Sequence, residues 1–268
     1  MSAQFSATQY NSFSNTYDSI NDLPISRAIV INVKRILSPY IRGAQVLELA
    51  CGTGFFTRHM LDWGATSIIG VDISQGMINI AQAAASKRPD AAKCNFMVAD
   101  CKEPFDAGHG QFDLIFAAWL LNYNADQAEA TAMFENISAH LKPGGRFVTV
   151  MPHAEEDPMV CINRINLDFA EEYGYHVEYR GPHEPGYYVQ LKFDVNPPVE
   201  FGNYYLPKSL YENAAREGGM RGKLTWEEIT LPEDHDEVNS YMVEPVPRGY
   251  FDTFLEYPDF RIMTIEKS

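Results

Sequence analysis

The chain has 268 residues, a length that suits one large domain or one domain with a sizeable insertion. Its hydrophobic content of 46% is typical of a globular protein. Its formal net charge is −15, with 11 basic and 13 acidic residues in 1–150 but 10 and 23 in 151–268. The chain therefore lacks the excess of Lys and Arg that binds the phosphates of nucleic acids, which disfavours DNA or RNA as a partner. The acidic residues of the second half are typical of a solvated surface. The alternative is that they surround the entrance of a binding site and attract a cationic substrate.

Other classes are disfavoured by short patterns. The longest apolar run is too short to span a bilayer, and the first residues lack a secretory pattern. The four cysteines form no CxxC pair, and no His, Cys or carboxylate cluster has metal-ligand spacing. We expect a cytoplasmic protein with no membrane contact and no metal, present as a monomer or homodimer.

The first part of the chain predicts a doubly wound α/β fold. Residues 1–24 are polar but rich in aromatic side chains, and 25–40 have helical apolar spacing. Apolar runs then predict strands at 45–50, 67–72, 95–98, 112–118 and 146–151, separated by helical patterns such as 54–63 and 76–85. Strands that are apolar throughout and alternate with helices indicate a mostly parallel sheet covered on both faces. We expect seven strands in all, with the ligand at their carboxyl ends.

The second part predicts an insertion before the fold is completed. We predict a helix at 163–173, a hairpin at 187–194 and 199–205, a helix at 207–217, and strands at 223–230 and 259–265. The division is then an N-terminal helical lid (1–40), a cofactor-binding core (41–151), an inserted substrate cap (152–206) and a completing segment (207–268). The Asn196-Pro197-Pro198 stretch is interpreted as the hairpin turn. It differs from a catalytic Asn-Pro-Pro-aromatic turn directly after strand four, because an aromatic residue does not follow it and it lies far from that strand.

The strongest pattern is the glycine-rich turn after the first strand, ELACGTGF. Gly52 and Gly54 let the backbone bend sharply and approach a ligand. Thr57 occupies the place of the third glycine of a dinucleotide fingerprint, which argues against NAD or FAD. Glu48 ends the strand just before the turn, where a carboxylate disfavours a pyrophosphate but suits a sulfonium cofactor with a free amino group.

Two more acids follow the next strands. Asp72 ends the second strand, where a carboxylate can accept both ribose hydroxyls. Asp100 follows the third strand, where it can accept from an exocyclic adenine amine.

The ordered set ELACGTGF, GVDIS, VAD, FDLIFAAWLLNY and LKPGGRF resembles the motifs of class I SAM-dependent methyltransferases over about residues 40–151. The whole chain is similar to the toxoflavin methyltransferase-like small-molecule group, through Tyr10…Tyr17-Asp18, WLLNY and FGNYYLPKSLYENA. The family loop usually has glycine where this chain has Ala50; a negative φ there would make the alanine harmless.

The resemblance implies S-adenosylmethionine as the cofactor and assigns roles to individual residues. The methionine end lies on Glu48 and the backbone of the turn, the ribose on Asp72, and the adenine on Asp100. The full set implied to bind the cofactor is Tyr17, Glu48, Ala50, Gly52, Gly54, Asp72, Ser74, Met77, Asp100, Cys101 and Ala117. Ordinary core packing is the open alternative for Met77 and Cys101.

The acceptor is expected to be a small, flat, aromatic or heterocyclic molecule, with methylation at nitrogen favoured over oxygen or carbon. Its predicted binding residues are Tyr10, Phe13, Trp119, Asn122, Tyr123, Tyr188 and Tyr204. The N-terminal aromatics could instead only seal the edge of the sheet. His153, after the fifth strand, is the candidate general base because its ordinary pKa suits neutral pH; the alternative is a loop histidine without a chemical role.

Three other functions stay open at this stage. An enzyme of this fold could use bound SAM for a rearrangement or elimination. A non-catalytic SAM-binding protein is opposed by the intact Glu48, Asp72 and Asp100 set. An NAD-dependent dehydrogenase is opposed by Thr57 and Glu48.

Overall fold

The computed structural model describes residues 9–12 and 16–268. The helices are α1 (Pro24–Ile41), α2 (Phe55–Asp62), α3 (Gln75–Ala85), α4 (Gln127–His140), α5 (Pro158–Arg164), α6 (Ala170–Tyr173), α7 (Lys208–Glu217), α8 (His235–Asn239) and α9 (Asp252–Glu256). The strands are β1 (Gln45–Leu49), β2 (Ser67–Asp72), β3 (Cys94–Val98), β4 (Phe112–Ala118), β5 (Leu141–Met151), β6 (Tyr175–His183), β7 (Gly186–Phe193), β8 (Val199–Tyr205), β9 (Leu224–Glu227) and β10 (Arg261–Glu266). None of the helices in the described part is long and apolar enough to cross a membrane.

Seven strands form the main sheet in the order β3-β2-β1-β4-β5-β10-β9. The first five are parallel, and β10 runs antiparallel between β5 and β9. The predicted mostly parallel, doubly wound sheet is therefore confirmed. The central strands are mostly buried on both faces because apolar residues predominate in them. The carboxyl ends of β1 to β5 meet at one edge.

A separate antiparallel sheet, β6-β7-β8, packs beside that edge. Its register pairs Leu191 with Phe201 and Tyr188 with Tyr204, so these two pairs lie on opposite faces. The face with Leu191 and Phe201 belongs to one core cluster, while the face with Tyr204 packs against the other. The small sheet is thus covered on both sides.

Most predicted elements lie within a few residues of those observed, and the differences have local causes. Strand β5 begins at Leu141, before the predicted start, through a register shift against β4 in which Gly144 takes φ +75°. Strand β6 and the short helices α8 and α9 were not predicted. The predicted helix 163–173 is α5 and α6 joined by a π-helical turn, Ile165–Phe169.

The N-terminal segment, residues 9–12 and 16–22, is hydrogen-bonded to the small sheet through Gln9. Gln9 donates from Nε2 to the carbonyl of Gly202 and accepts from its N–H, both at 3.1 Å. The hydroxyl of Thr53, in the turn after β1, donates to Asp18. These contacts place residues 9–12 and 16–22 across the carboxyl edge of the main sheet.

Candidate functional site

A cavity of about 590 Å³ lies at the carboxyl edge of the main sheet, beneath the small sheet and the N-terminal segment. It collects most of the predicted residues. Those that line it are Tyr10, Tyr17, Glu48, Ala50, Gly52, Asp72, Met77, Asp100, Cys101, Trp119, Asn122, Tyr123 and Tyr204. Its size is within the range of small-molecule sites.

Three residues in the turn after β1 adopt the left-handed backbone conformation. Ala50, Gly52 and Gly54 have φ of +53°, +53° and +74°. Glycine adopts this conformation without cost, whereas alanine pays about 1 kcal/mol for it. The alanine at position 50 is therefore strained, contrary to the negative φ that would have made it harmless.

Glu48 is 2% exposed and accepts a hydrogen bond from the hydroxyl of Thr57. Burial raises its pKa to about 8, and the Thr57 hydrogen bond and Arg58 only partly oppose this. A buried carboxyl of this kind is a natural partner for the ammonium group of an amino acid, which would restore its charged form.

Asp72 holds the turn in place and still lines the cavity. Its Oδ2 accepts from the N–H of Gly52 at 2.9 Å, and its Oδ1 accepts from Ser74 at 2.8 Å. Burial raises its pKa, while these two backbone hydrogen bonds lower it. A carboxylate has about four acceptor positions, so two remain for ribose hydroxyls. Asp100 lines the next part of the cavity and accepts from the N–H of Lys102 at 2.9 Å.

Aromatic rings close the cavity on the side of the N-terminal segment. The ring of Tyr10 lies 5.6 Å from that of Tyr17, 5.9 Å from Tyr123 and 5.4 Å from Phe201. The hydroxyls of Tyr10 and Tyr123 share a hydrogen bond. These rings form an aromatic wall on that side of the cavity.

The chain leaves β4 through a strained residue. Trp119 has φ +60°, a conformation that bulky side chains rarely adopt, and its N–H donates to the carbonyl of Val150 at 3.0 Å. Strain of this kind clusters at functional sites. Asn122 is 1% exposed and lines the cavity with Trp119.

Several predicted residues do not line the cavity, for reasons of local geometry. Ala117 faces the core of the main sheet, and the adjacent Ala118 lines the cavity instead. Ser74 caps α3 by accepting from the N–H of Met77, and Gly54 caps α2. Tyr188 shares a face of the small sheet with its partner Tyr204, but only Tyr204 lines the cavity, and Tyr188 packs against the second core cluster. Phe13 lies outside the described residues.

His153 is also absent from the cavity lining. It is 5% exposed, its ring lies 5.2 Å from that of Tyr205, and its Nδ1 accepts from the N–H of Glu155 at 2.9 Å. Burial, assisted by Arg261, lowers its pKa to about 3. A neutral, enclosed and hydrogen-bonded imidazole is poorly suited as a general base, so we correct that prediction.

The cavity contains residues that sequence reasoning missed. Tyr175, His183, Phe201, Asn203 and Asp259 all line it. Asp259 had a usable pattern, because it opens a predicted strand that runs antiparallel to β5 and so starts at the ligand edge. The others lie in the small sheet, whose orientation no motif indicated.

The charge of the lining is strongly acidic. Among the described residues it contains seven carboxyl groups, on Glu48, Asp72, Asp100, Asp126, Glu129, Glu184 and Asp259. The raised pKa of Glu48 and Asp259 leaves these two partly protonated near neutral pH. Lys102 is the one lysine or arginine in the described lining, and it is paired with Glu129. The cavity therefore favours neutral or cationic ligands over anions.

Comparison with known proteins agrees with this geometry. Residues 46–145 match the family model of a methyltransferase domain. The solved DhpI–SAH complex superimposes with a TM-score of 0.58 at 19% identity, covering 98% of this chain and 95% of that one. The chain has the fold of a SAM-dependent methyltransferase. The family match and the fold together support S-adenosylmethionine as its cofactor.

Curated relatives of this methyltransferase fold include mRNA cap guanine-N(7) methyltransferase 1 of Oryza sativa subsp. japonica. It is 27% identical over 274 residues, which cover 91% of this chain and 71% of that protein. An mRNA cap guanine-N(7) methyltransferase of Caenorhabditis elegans is 30% identical over 149 residues, but the match spans only 39% of its length. The predicted exclusion of nucleic acid is therefore not confirmed.

Proposed function

We propose that the chain transfers a methyl group from S-adenosylmethionine to a small, flat acceptor that carries nitrogen. The observation that carries the proposal is the cavity itself. One enclosed volume brings together the three cofactor acids, a set of aromatic rings and an acidic lining. This set suits a sulfonium cofactor with a free amino group beside an aromatic acceptor without negative charge.

The cofactor, when bound, supplies a methyl group attached to a positive sulfur. In the proposed arrangement Glu48 pairs with the amino group, Asp72 accepts from the ribose hydroxyls, and Asp100 accepts from the adenine amine. The task of the protein is then to align donor and acceptor and to keep water out.

The acceptor side is proposed to lie against Trp119, Asn122, Tyr123 and Tyr204. Aromatic faces suit both a flat acceptor and the partial positive charge on the methyl group. Residues 152–206 would act as the cap that selects the acceptor, and residues 1–40 as the lid. This arrangement supports a small-molecule acceptor of the kind expected from the toxoflavin methyltransferase-like resemblance.

A second candidate, methylation of a cap guanine, follows from the similarity to the rice relative. Its acceptor would bring a triphosphate into the site. Because Lys102 is already paired and carboxyl groups outnumber basic side chains in the described lining, the triphosphate would meet mostly repulsive charge. The cavity therefore favours the small-molecule acceptor.

The test is transfer of label from methyl-labelled SAM to a panel of flat heteroaromatic amines, phenols and the capped dinucleotide GpppG. We expect label in one or more amines and none in GpppG. Label in GpppG alone would replace the proposal with the cap reaction. Labelled SAM that binds and never loses its label to any acceptor would contradict methyl transfer altogether.

A further inference from the structure

Four residues that line the cavity each carry a buried side-chain oxygen without a hydrogen-bond partner among the described residues. These oxygens are Asn122 Oδ1, Tyr175 Oη, Asn203 Oδ1 and Asp259 Oδ1. Leaving such a group unpaired destabilises the folded protein, and more so when the group is charged. Unpaired polar atoms in a cavity wall therefore point to a ligand that completes them.

Asp259 lies on the acceptor half of the cavity. It comes two residues before Arg261, which pairs with Met151 at the carboxyl end of β5. The cofactor acids Glu48 and Asp72 instead end β1 and β2, on the other side of β4 in the strand order. The Asp259 carboxyl thus belongs to a different part of the cavity wall from the cofactor acids.

The surroundings of Asp259 leave its carboxyl available to a ligand. Arg261 donates to the carbonyls of Pro258 and Phe260 at 2.8 and 3.0 Å and forms no ion pair with Asp259 in the described structure. Burial raises the pKa of Asp259 to about 7, although its own backbone N–H and Arg261 oppose the rise. A cation beside this carboxyl would favour its charged form.

Tyr175 supplies a second polar atom on a rigid support. It is 5% exposed, and its ring stacks on Phe193 at 5.8 Å with an interplanar angle of 19°. Phe193 also lines the cavity. A flat ligand at these rings would have an aromatic face for its π-system and a hydroxyl for a polar edge.

We infer that the carboxyl of Asp259, with the hydroxyl of Tyr175, binds an N–H group of a basic aromatic amine, and that this pair selects amines over anionic acceptors. The inference rests on the proposed function and names the chemical class of its acceptor. A carboxylate only accepts hydrogen bonds when ionised, so it matches an amine or protonated ring nitrogen and repels a carboxylate or phosphate.

The experiment is calorimetric binding of two matched probes to protein saturated with S-adenosylhomocysteine. The probes are 4-aminoquinoline, a cationic amine, and quinoline-4-carboxylate, an anion of similar shape. We expect the wild type to prefer the amine by about tenfold or more, because a charge-assisted hydrogen bond is worth about 1.5–3 kcal/mol. Asp259→Asn should remove most of that preference, and Tyr175→Phe part of it.

The control variant is Glu244→Gln, because Glu244 is exposed and lies outside the cavity lining. It should keep the preference for the amine. A wild type without that preference, or equal losses in Asp259→Asn and Glu244→Gln, would overturn the inference. Failure of the wild type to bind S-adenosylhomocysteine would instead contradict the proposed function. An unchanged affinity of Asp259→Asn for S-adenosylhomocysteine shows that the variant is folded.

The pH dependence of amine binding gives an independent readout. Affinity should rise between pH 6 and 8 in the wild type and stay level in Asp259→Asn, because Asp259 becomes charged in that window. The other groups whose charges act on Asp259 do not titrate there. Burial raises the pKa of Cys161 and Tyr173 far above this window, and Arg261 stays protonated. A level wild-type profile would contradict the inference.

Discussion

Glu48 links the electrostatics of the free protein to its expected cofactor. Burial raises its pKa to about 8, against about 4.3 for an unfolded glutamate. Between these values the folded protein holds a proton that the unfolded chain has released. The free energy of unfolding therefore falls as pH rises from about 4 to 8, and the loss is complete above the folded pKa.

We predict that Glu48→Gln is more stable, relative to wild type, at pH 8 than at pH 5. The relative gain should be on the order of 2–4 kcal/mol, since each pKa unit corresponds to about 1.4 kcal/mol. Urea unfolding at the two pH values measures it, with Glu184→Gln as the exposed control. Parallel pH profiles of wild type and Glu48→Gln would show that Glu48 ionises normally.

The position of His153 in the sequence predicted a general base, but the structure places the residue outside the cavity lining. It follows β5 at the ligand edge, but its ring lies beside Tyr205, outside the cavity lining. We predict that His153→Asn costs about 1–3 kcal/mol of stability through lost packing and hydrogen bonding. The pH profile of methyl transfer should keep its shape. Loss of an ionisation from that profile would restore His153 as the base.

At the scale of elements, the main sheet could be predicted because its strands are continuous apolar runs between glycine-rich turns. The small sheet was harder. Strand β6 was missed because Gly181 and Pro182 interrupt its apolar alternation, and the phase of the β7 side chains depends on which face meets the cavity. Tyr204 lines the cavity but its partner Tyr188 does not, a difference that alternation alone does not predict. Asp259 opens a predicted strand, but its place at the ligand edge depends on the antiparallel direction of β10.

The N-terminal segment tests whether an element acts as a lid. Gln9 makes two hydrogen bonds to Gly202 that hold Tyr10 against Phe201. Gln9→Ala should speed the release of S-adenosylhomocysteine by about tenfold, because that factor corresponds to the free energy of one or two hydrogen bonds. The free energy of unfolding should change little. Stopped-flow release measures this. Gln75→Ala, on the exposed side of α3, is the control; equal rates in all three proteins would show that the segment only seals the sheet.

At the scale of the whole molecule, the formal net charge of −15 is accompanied by an excess of carboxyl groups over basic side chains in the described cavity wall. Its field should concentrate cations near the cavity. We predict that the association rate of 4-aminoquinoline falls several-fold between about 0.05 and 0.5 M NaCl, because salt screens this field. Neutral quinoline should be insensitive to salt and serves as the control. Identical salt dependence of the two probes would limit the acidic excess to a role in solubility.

The most direct test of SAM-dependent function is calorimetric titration with S-adenosylmethionine and S-adenosylhomocysteine, using wild type and Asp72→Asn. We predict affinity in the micromolar range for both ligands in the wild type. Asp72→Asn should lower it by about 100-fold, because the amide weakens both the turn and the ribose contact. A folded wild type that binds neither ligand would contradict the assignment of the cavity as a methyltransferase site.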